Sequence, residues 1–556
     1  MINLNTKTAQ SRIERTFEFI CLLILAALFF VQPLTAQEGI KGNLVDVNWL
    51  KKNMDNHDVI LLDASPSQVY KEKHIPGAVN YDIFIYGIHQ MPAAEIEKRY
   101  RSWGISLGKK IVMYDEGGSM LATRMFFSLY YYGFPAQNLF ILDGGLSRWQ
   151  EAGFPVTNEQ TTLPGNGSFK IEKLNESVKA ELPEFLTASG DLDHNVLLEA
   201  LSPGWHFGDT KFFNKPGHIP NAISLPGTDF YNPDKTFKSP EEIKKMLDYL
   251  KVKPGQNIYT HCGGGIAASV PFFALKFILG YPDVKLFQGS QLEWISDERD
   301  LPMWTYDAPY LMRDTKWLQF RDSGPARMYG ISHVTLIDVR SAAEFSRGHL
   351  PASVSIPYDV FKNNITNSNK LAGILGEEGV NADDEAVIIS GAGLTKESAL
   401  VFTVLEKLGQ KKVSVYIDSI SKWVQAGNSL IKDTTSAAAK QVSEVSAAAY
   451  PVNLQEGVII TDAGSTQGLY PKVFITCGKD IPVKLQEEKV VRIPYNDLLN
   501  TDGSPKEAKD IWNILDKAGV SRYAELVCCS GDPGEAAVNY FILKLMGFPD
   551  IKLMVE

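Results

Sequence analysis

The chain has 556 residues, 44% of them hydrophobic and 22% charged, with a formal net charge of −10. That length exceeds what one hydrophobic core serves, so several domains are expected, and the composition is that of ordinary globular protein. The acidic balance argues against a nucleic-acid partner.

At the N-terminus Lys7, Arg12 and Arg15 precede the apolar stretch "FICLLILAALFFVQPLTAQ", which contains the pattern Leu34-Thr35-Ala36. This reads as a signal peptide over 1–36, cleaved after Ala36, and predicts a periplasmic or secreted protein. An anchor formed by the uncleaved N-terminal helix is the alternative, because the run is just long enough to span a bilayer. Export to an oxidising compartment changes how the cysteines are read. Cys21 lies in the signal, leaving Cys262, Cys477, Cys528 and Cys529, too few for a disulfide scaffold in so long a chain. A bridge from Cys477 to one of the adjacent pair stays open.

From residue 40 a single pattern recurs. In the first stretch, 40–156, the apolar run of "VILLDAS" ends at Asp63, a "KHIPGA" turn follows, and then come "KIVMYDEGG", a helical pattern and "LFILDGG". The Gly/Ser/Thr-containing segment 157–169 reads as a linker. The second stretch, 180–306, repeats the order with "NVLLEAL" at Glu199, "GHIPNA", "NIYTHCGGG" and "VKLFQGS". In the third, 318–433, the counterparts are "VTLIDVR" at Asp338, "GHLPAS", "AVIISGAG" and "VSVYIDS". An Ala/Ser-rich linker at 434–449 leads to the fourth, 450–556, with "GVIITDAG" at Asp462, "ELVCCSGD" and "IKLMVE", but without the turn. Short apolar runs alternating with helical patterns imply parallel sheets buried on both faces. The expected fold class is therefore α/β: four tandem domains, each a small parallel sheet flanked by helices, and the similar layout of one–two and three–four suggests two couples.

Three turn motifs in phase with the glycine-rich loops, together with "LFILDGGLSRWQEAGFPV" and "GHIPNAISLP", resemble the rhodanese family of sulfurtransferases over nearly the whole mature chain. On that fold Cys262 ends a strand at the carboxyl edge of the sheet, where open α/β sheets bind ligands. Backbone N–H groups of the tight loop and the following helix's positive end favour thiolate. Gly263, Gly264 and Gly265 leave the backbone free to form a cradle and keep side chains off an incoming group.

The resemblance implies that Cys262 is the catalytic nucleophile. It would take a sulfane sulfur from thiosulfate or the sulfur of 3-mercaptopyruvate, become a persulfide, and pass the sulfur to cyanide or a thiol, with the loop Gly263, Gly264, Gly265, Ile266, Ala267 and Ala268 cradling it. The partners implied are a small sulfur donor, a thiol or cyanide acceptor, and a protein acceptor as a further candidate. "CGGGIAA" is similar to mercaptopyruvate-type loops, yet the family's anion-binding arginines are absent. Leu201, Trp205 and His206 stand near their places, and Lys211 and Lys215 read as solvated surface cations, so the donor stays open.

His261, adjacent on the strand, points to the opposite face from the thiol. Counting back from Gly133 puts Asp115 at the cysteine position of repeat one, and Ser390 or Gly391 stands there in repeat three, so both domains read as inactive. Counting back from Gly547 puts Cys529 there in repeat four, a candidate second site although Asp532 would oppose an anion. Phosphatase chemistry would need a guanidinium where Ala268 or Ser269 stands. No Cys/His spacing suggests a metal and no glycine fingerprint a nucleotide, so no cofactor is expected. A non-catalytic sulfur-carrier or protein-docking module is the rival reading.

Overall fold

The computed structural model describes residues 39–555, apart from 89, 212, 322–332, 433–449, 463, 465 and 479–489. The signal peptide and the second linker expected from sequence lie outside the described residues. Among the described residues no helix is long and apolar enough to cross a membrane.

Four separate sheets form, as the repeat pattern predicts. The second has the spatial order Lys179–Ala180, Val284–Phe287, Asn257–His261, Asn195–Glu199, Ile223–Ser224, with every pair parallel. The third repeats it with Met312–Arg313, Lys412–Tyr416, Glu385–Ile389, Val334–Asp338 and Ser353–Ser355. The fourth uses Ile459–Ile460, Ile551–Met554, Glu525–Cys529, Lys472–Thr476 and Val490–Arg492. The first follows the same plan with an extra antiparallel edge strand, Ile40–Lys41. Strands such as "VILLD" and "EAVII" are apolar almost throughout because helices cover both faces of each sheet.

Register corrects two sequence alignments in the fourth domain. "GVIITDAG" supplies only the short edge strand Ile459–Ile460, so the counterpart of Glu199 is Thr476 of "KVFIT", not Asp462. Glu199 lies opposite His261, and the N–H of Ala200 then bonds the His261 carbonyl at 2.9 Å. Thr476 lies opposite Cys529 in the same way, and the Cys477 N–H bonds the Cys529 carbonyl at 3.0 Å. Cys529 therefore matches His261, and Ser530 matches Cys262. The equivalent bonds, Ala64 to Tyr114 and Val339 to Ile389, put Asp115 and Ser390 at the same position in domains one and three.

The domains associate as two couples. Helix Leu121–Tyr131 of domain one packs on Ser269–Phe273 of domain two, with Phe126 edge-on to Phe273 at 4.9 Å and Phe127 edge-on to Phe272 at 5.1 Å. Helix Lys396–Leu408 of domain three packs on Pro533–Leu545 of domain four, joined by Phe402 and Phe541 at 4.9 Å. Each seam is the continuation of one apolar core through both members; edge-to-face ring pairs add about 0.5–1.5 kcal/mol each beyond their buried area. Domains two and four also meet. Phe207 stacks on Trp512 at 5.3 Å, and Asp229 accepts from Tyr523 Oη at 2.8 Å and from Arg522 at 3.3 Å.

The turn motif has one structural role in three copies. His74 lies on Tyr70 and His349 on Phe345, each pair of rings 3.7 Å apart, and each histidine Nδ1 bonds the carbonyl of that same aromatic residue. In domain two His218 lies at 3.7 Å on a second imidazole, His206, and its Nδ1 bonds the His206 carbonyl at 2.8 Å.

Candidate active site

Cys262 is the first residue past strand Asn257–His261, and its side chain is buried. The Gly265 N–H donates to Cys262 Sγ at 3.1 Å, and among the described residues this is the backbone amide found bonded to the sulfur. Gly265 has φ +84°, and a Cβ there would lie 2.4 Å from the Gln288 carbonyl oxygen, so only glycine fits. Gly264 faces open space, and a methyl placed on it would meet nothing within 4 Å. The Gly263 carbonyl accepts from Leu292, while Ile266 and Ala267 carbonyls accept from Ser269 and Val270 as the chain enters the helix. Ala268 is buried beneath that turn. The helix starts at Ser269 and soon widens into a π-helical stretch, Ala274–Ile278.

Ser290 fixes the cysteine's own peptide. Its hydroxyl accepts the Cys262 N–H at 3.0 Å and donates to the Phe287 carbonyl at 2.8 Å. It does so from φ 51°, a left-handed conformation costly for a residue with a side chain, where domain one has Gly145 at φ 57°. Sequence reading passed over this residue; the only signal was "QGS" in place of "DGG".

Domain one builds the other wall. Arg124, fully buried on helix Leu121–Tyr131, donates through Nε to the Gly87 carbonyl at 2.8 Å and through Nη2 to that of Ile88 at 3.3 Å. Its Nη1 is buried with no hydrogen-bond partner. Burial lowers the guanidinium to about 10, with the charges of Tyr81 and Cys262 opposing the shift. Gln288 Nε2 donates to the Ile88 carbonyl at 2.9 Å, tying the same segment to the Cys262 side. The resulting cleft, about 250 Å³, is lined by Ile88, Gln90, Lys179, Gly264, Gln288 and Leu292, among others. Lys179 bonds Gln90 at 2.9 Å and pairs with Glu181 at 2.7 Å. Neither cation was legible as a site residue, because Arg124 comes from another domain and Lys179 from an edge strand.

The residues expected to replace the family's arginines go elsewhere. Leu201 and Trp205 are half-buried, and Lys215 pairs with Asp300 at 2.5 Å on the surface. His206 is buried between two carboxylates: Nδ1 lies 2.5 Å from Glu199 and Nε2 2.5 Å from Asp307. Burial alone would lower this imidazole, but Asp307 and Glu199 outweigh it and raise it to about 9. His261 packs against Phe185 on the far face of the sheet, with neither ring nitrogen hydrogen-bonded, and burial takes it down to about 4.

The other three loops are self-satisfied. Asp115 Oδ1 accepts the Gly117 N–H at 2.8 Å, and Oδ2 accepts those of Leu121 and Ala122 at 3.0 and 2.9 Å. Its carboxylate fills the cradle that Cys262 leaves open. Ser390 Oγ donates to the Gly393 carbonyl at 2.8 Å, and Ser530 Oγ to Glu535 at 2.7 Å. Cys529 lies within a strand, in a small cluster with Ile460, Phe474, Val527 and Met554. That inward placement overturns its assignment to the nucleophile position. None of Cys477, Cys528 and Cys529 is in a disulfide, and burial beside Cys528 pushes the Cys477 thiol well up.

A family model described as the rhodanese-like domain matches residues 46–152, 190–297 and 326–426. A probable 3-mercaptopyruvate sulfurtransferase of Pseudomonas aeruginosa is 30% identical over 280 residues, covering 46% of this chain and 96% of that protein. A sulfur carrier protein of Thermus thermophilus is 27% identical over 270 residues, covering 45% of this chain and 93% of the other. Among solved structures, a 3-mercaptopyruvate sulfotransferase of Escherichia coli has 26% identity and a TM-score of 0.41, over 45% of this chain and 99% of that one. The relatives are thus proteins of sulfur transfer, and the fourth domain, outside the matched residues, has the same strand order as the second and third. With three matched stretches taking in more than half of its residues, the chain belongs to the rhodanese-like domain family.

Proposed function

We propose that the chain is a sulfurtransferase whose single working site is Cys262. The observation that carries this reading is the Cys262 sulfur held by the Gly265 amide, in a loop whose Gly264 lines a cleft walled in part by Ile88 and Gln90 of domain one. The Cys262 thiolate attacks the outer sulfur of thiosulfate, the S–S bond breaks, and sulfite leaves with the electron pair. With 3-mercaptopyruvate the C–S bond breaks instead, and the thiol proton ends on the carbon of pyruvate. Either route leaves a Cys262 persulfide, whose outer sulfur cyanide or a thiol then removes, restoring the thiolate. Arg124, whose charge acts on Cys262 from domain one, supplies the positive charge that an anionic donor requires, while Lys179 at the cleft is offset by Glu181 and Glu293.

The test is thiocyanate formation from cyanide, with each donor separately, for wild type and Cys262→Ser. Turnover with one donor and none in the variant supports the reading and names the donor; no thiocyanate from either sinks it. Three loops without a thiol at the cysteine position, at Asp115, Ser390 and Ser530, favour a second reading. In it Cys262 only carries a persulfide to a partner protein, and donor treatment would add one sulfur atom without turnover. We further propose that the protein acts after export, which fractionation of the full-length chain tests.

A further inference from the structure

Domain two departs from one and three in the ring beneath its turn histidine. Where Tyr70 and Phe345 supply an apolar ring beneath the turn histidine, His206 supplies an imidazole. This brings His206 and His218, 12 residues apart, together with Asp307, 101 residues beyond His206, a set that no ligand spacing in the chain suggested. One ligand atom from each lies within 4.8 Å of the others.

Both imidazoles are anchored through Nδ1, His206 to the Glu199 carboxylate at 2.5 Å and His218 to the His206 carbonyl at 2.8 Å. Such outer contacts orient metal-binding histidines and direct Nε2 inward. The two Nε2 atoms lie 2.5 and 3.5 Å from the same oxygen, Asp307 Oδ1. His218 Nε2 is buried and makes no hydrogen bond, an orphaned acceptor at the centre of the group. The Asp307 side chain is 20% exposed and borders a cleft of about 630 Å³ with Tyr310, Leu311 and Lys544, which provides entry and room for a solvent ligand.

We propose that His206, His218 and Asp307 form a divalent transition-metal site, best suited to zinc, with Glu199 orienting His206. Two imidazoles and one carboxylate with an open fourth position are a zinc donor set. The rings lie face to face, 3.7 Å apart and 3° from parallel, so capture of the ion would release the proton that His206 Nε2 shares with Asp307 and would require the ring planes to tip apart. The site would clamp the two couples together. Glu199 and His206 belong to domain two, whereas the Ala308 N–H, next to Asp307, bonds the Leu545 carbonyl of domain four at 3.1 Å.

The test uses the full chain carrying Cys262→Ser, which removes the competing thiolate, titrated with Zn²⁺ by calorimetry and with Co²⁺ by visible absorption. The expected result is one equivalent of Zn²⁺ and a tetrahedral Co²⁺ spectrum without thiolate charge transfer. Asp307→Asn, which keeps the side chain's shape, should weaken binding about tenfold or more. His206→Phe, which restores the ring present in domains one and three, should abolish it. No saturable binding in the Cys262→Ser chain, or affinity in either further variant unchanged from that chain, overturns the proposal.

Discussion

The Lys396 ammonium lies 2.7 Å from the Asp532 carboxylate, joining the loops of domains three and four across their shared helices. Asp532 also caps helix Pro533–Leu545 by accepting the Gly534 N–H at 3.0 Å. Burial of Asp532 is outweighed by Lys396, which holds the carboxyl below its ordinary range. These two loops, neither with a thiol at the cysteine position, thus close on each other, whereas the Cys262 loop opens on a cleft.

Asp532→Ala removes the cap and the ion pair together. Stability should fall by about 1–2 kcal/mol, most of it from the cap, since half-exposed ion pairs contribute little. Thiocyanate formation should be unchanged; denaturant unfolding and the cyanide assay check both.

Gly265→Ala and Gly264→Ala form a discriminating pair. The first drives a Cβ to 2.4 Å from the Gln288 oxygen at φ +84°, and the second meets nothing within 4 Å. Gly265→Ala should lose sulfur loading of Cys262 and roughly 1–3 kcal/mol of stability. Gly264→Ala should load normally, by mass spectrometry of donor-treated protein.

Arg124→Gln should lower kcat/KM for the donor by about a hundredfold, the scale of removing one preorganised electrostatic donor. Arg124→Lys should recover part of that loss. Near-UV circular dichroism checks that the seam between the two domains survives, because Arg124 also holds the Gly87 and Ile88 carbonyls.

The Asp143 carboxyl accepts the Phe237 N–H at 2.8 Å across the same seam, and burial raises it from 3.8 to about 6. A carboxyl raised on folding stabilises the protein below its unfolded value, and that contribution is lost as pH rises through the folded one. Stability should therefore decline between about pH 4 and 6 on this account. Asp143→Asn keeps the acceptor and should flatten the decline, measured as Tm against pH.

Cys529→Ala should leave sulfur loading intact, whereas Cys262→Ser abolishes it. Loading at Cys529 would contradict the register that sets Ser530 against Cys262.

Much of the site was legible because its cause is local. A buried strand, a thiol and three glycines are contiguous, so Cys262, its loop and the carboxylate at Asp115 could be read directly. Counting along the chain failed where a single residue decides. Cys529 and Ser530 differ by one position, and only hydrogen-bond register tells an inward-facing strand residue from the first residue of a loop. In the same way the edge strand Ile459–Ile460 resembles a central strand until its single neighbour, Ile551–Met554, is known. Arg124 acts from another domain, Lys179 from an edge strand, and Asp307 lies 101 residues from His206, while Ser290, 28 residues past Cys262, carried no signal beyond "QGS".

Asp115 sets a negative charge at the start of a helix, where backbone amides converge. Its carboxylate reaches past the point where a thiolate ends and engages the amides of Leu121 and Ala122, whose counterparts by count are Ala268 and Ser269. In domain one an anion at the cysteine position is thus held by the first amides of the following helix, a hold that the shorter Cys262 side chain, bonded to the Gly265 amide, does not make by itself.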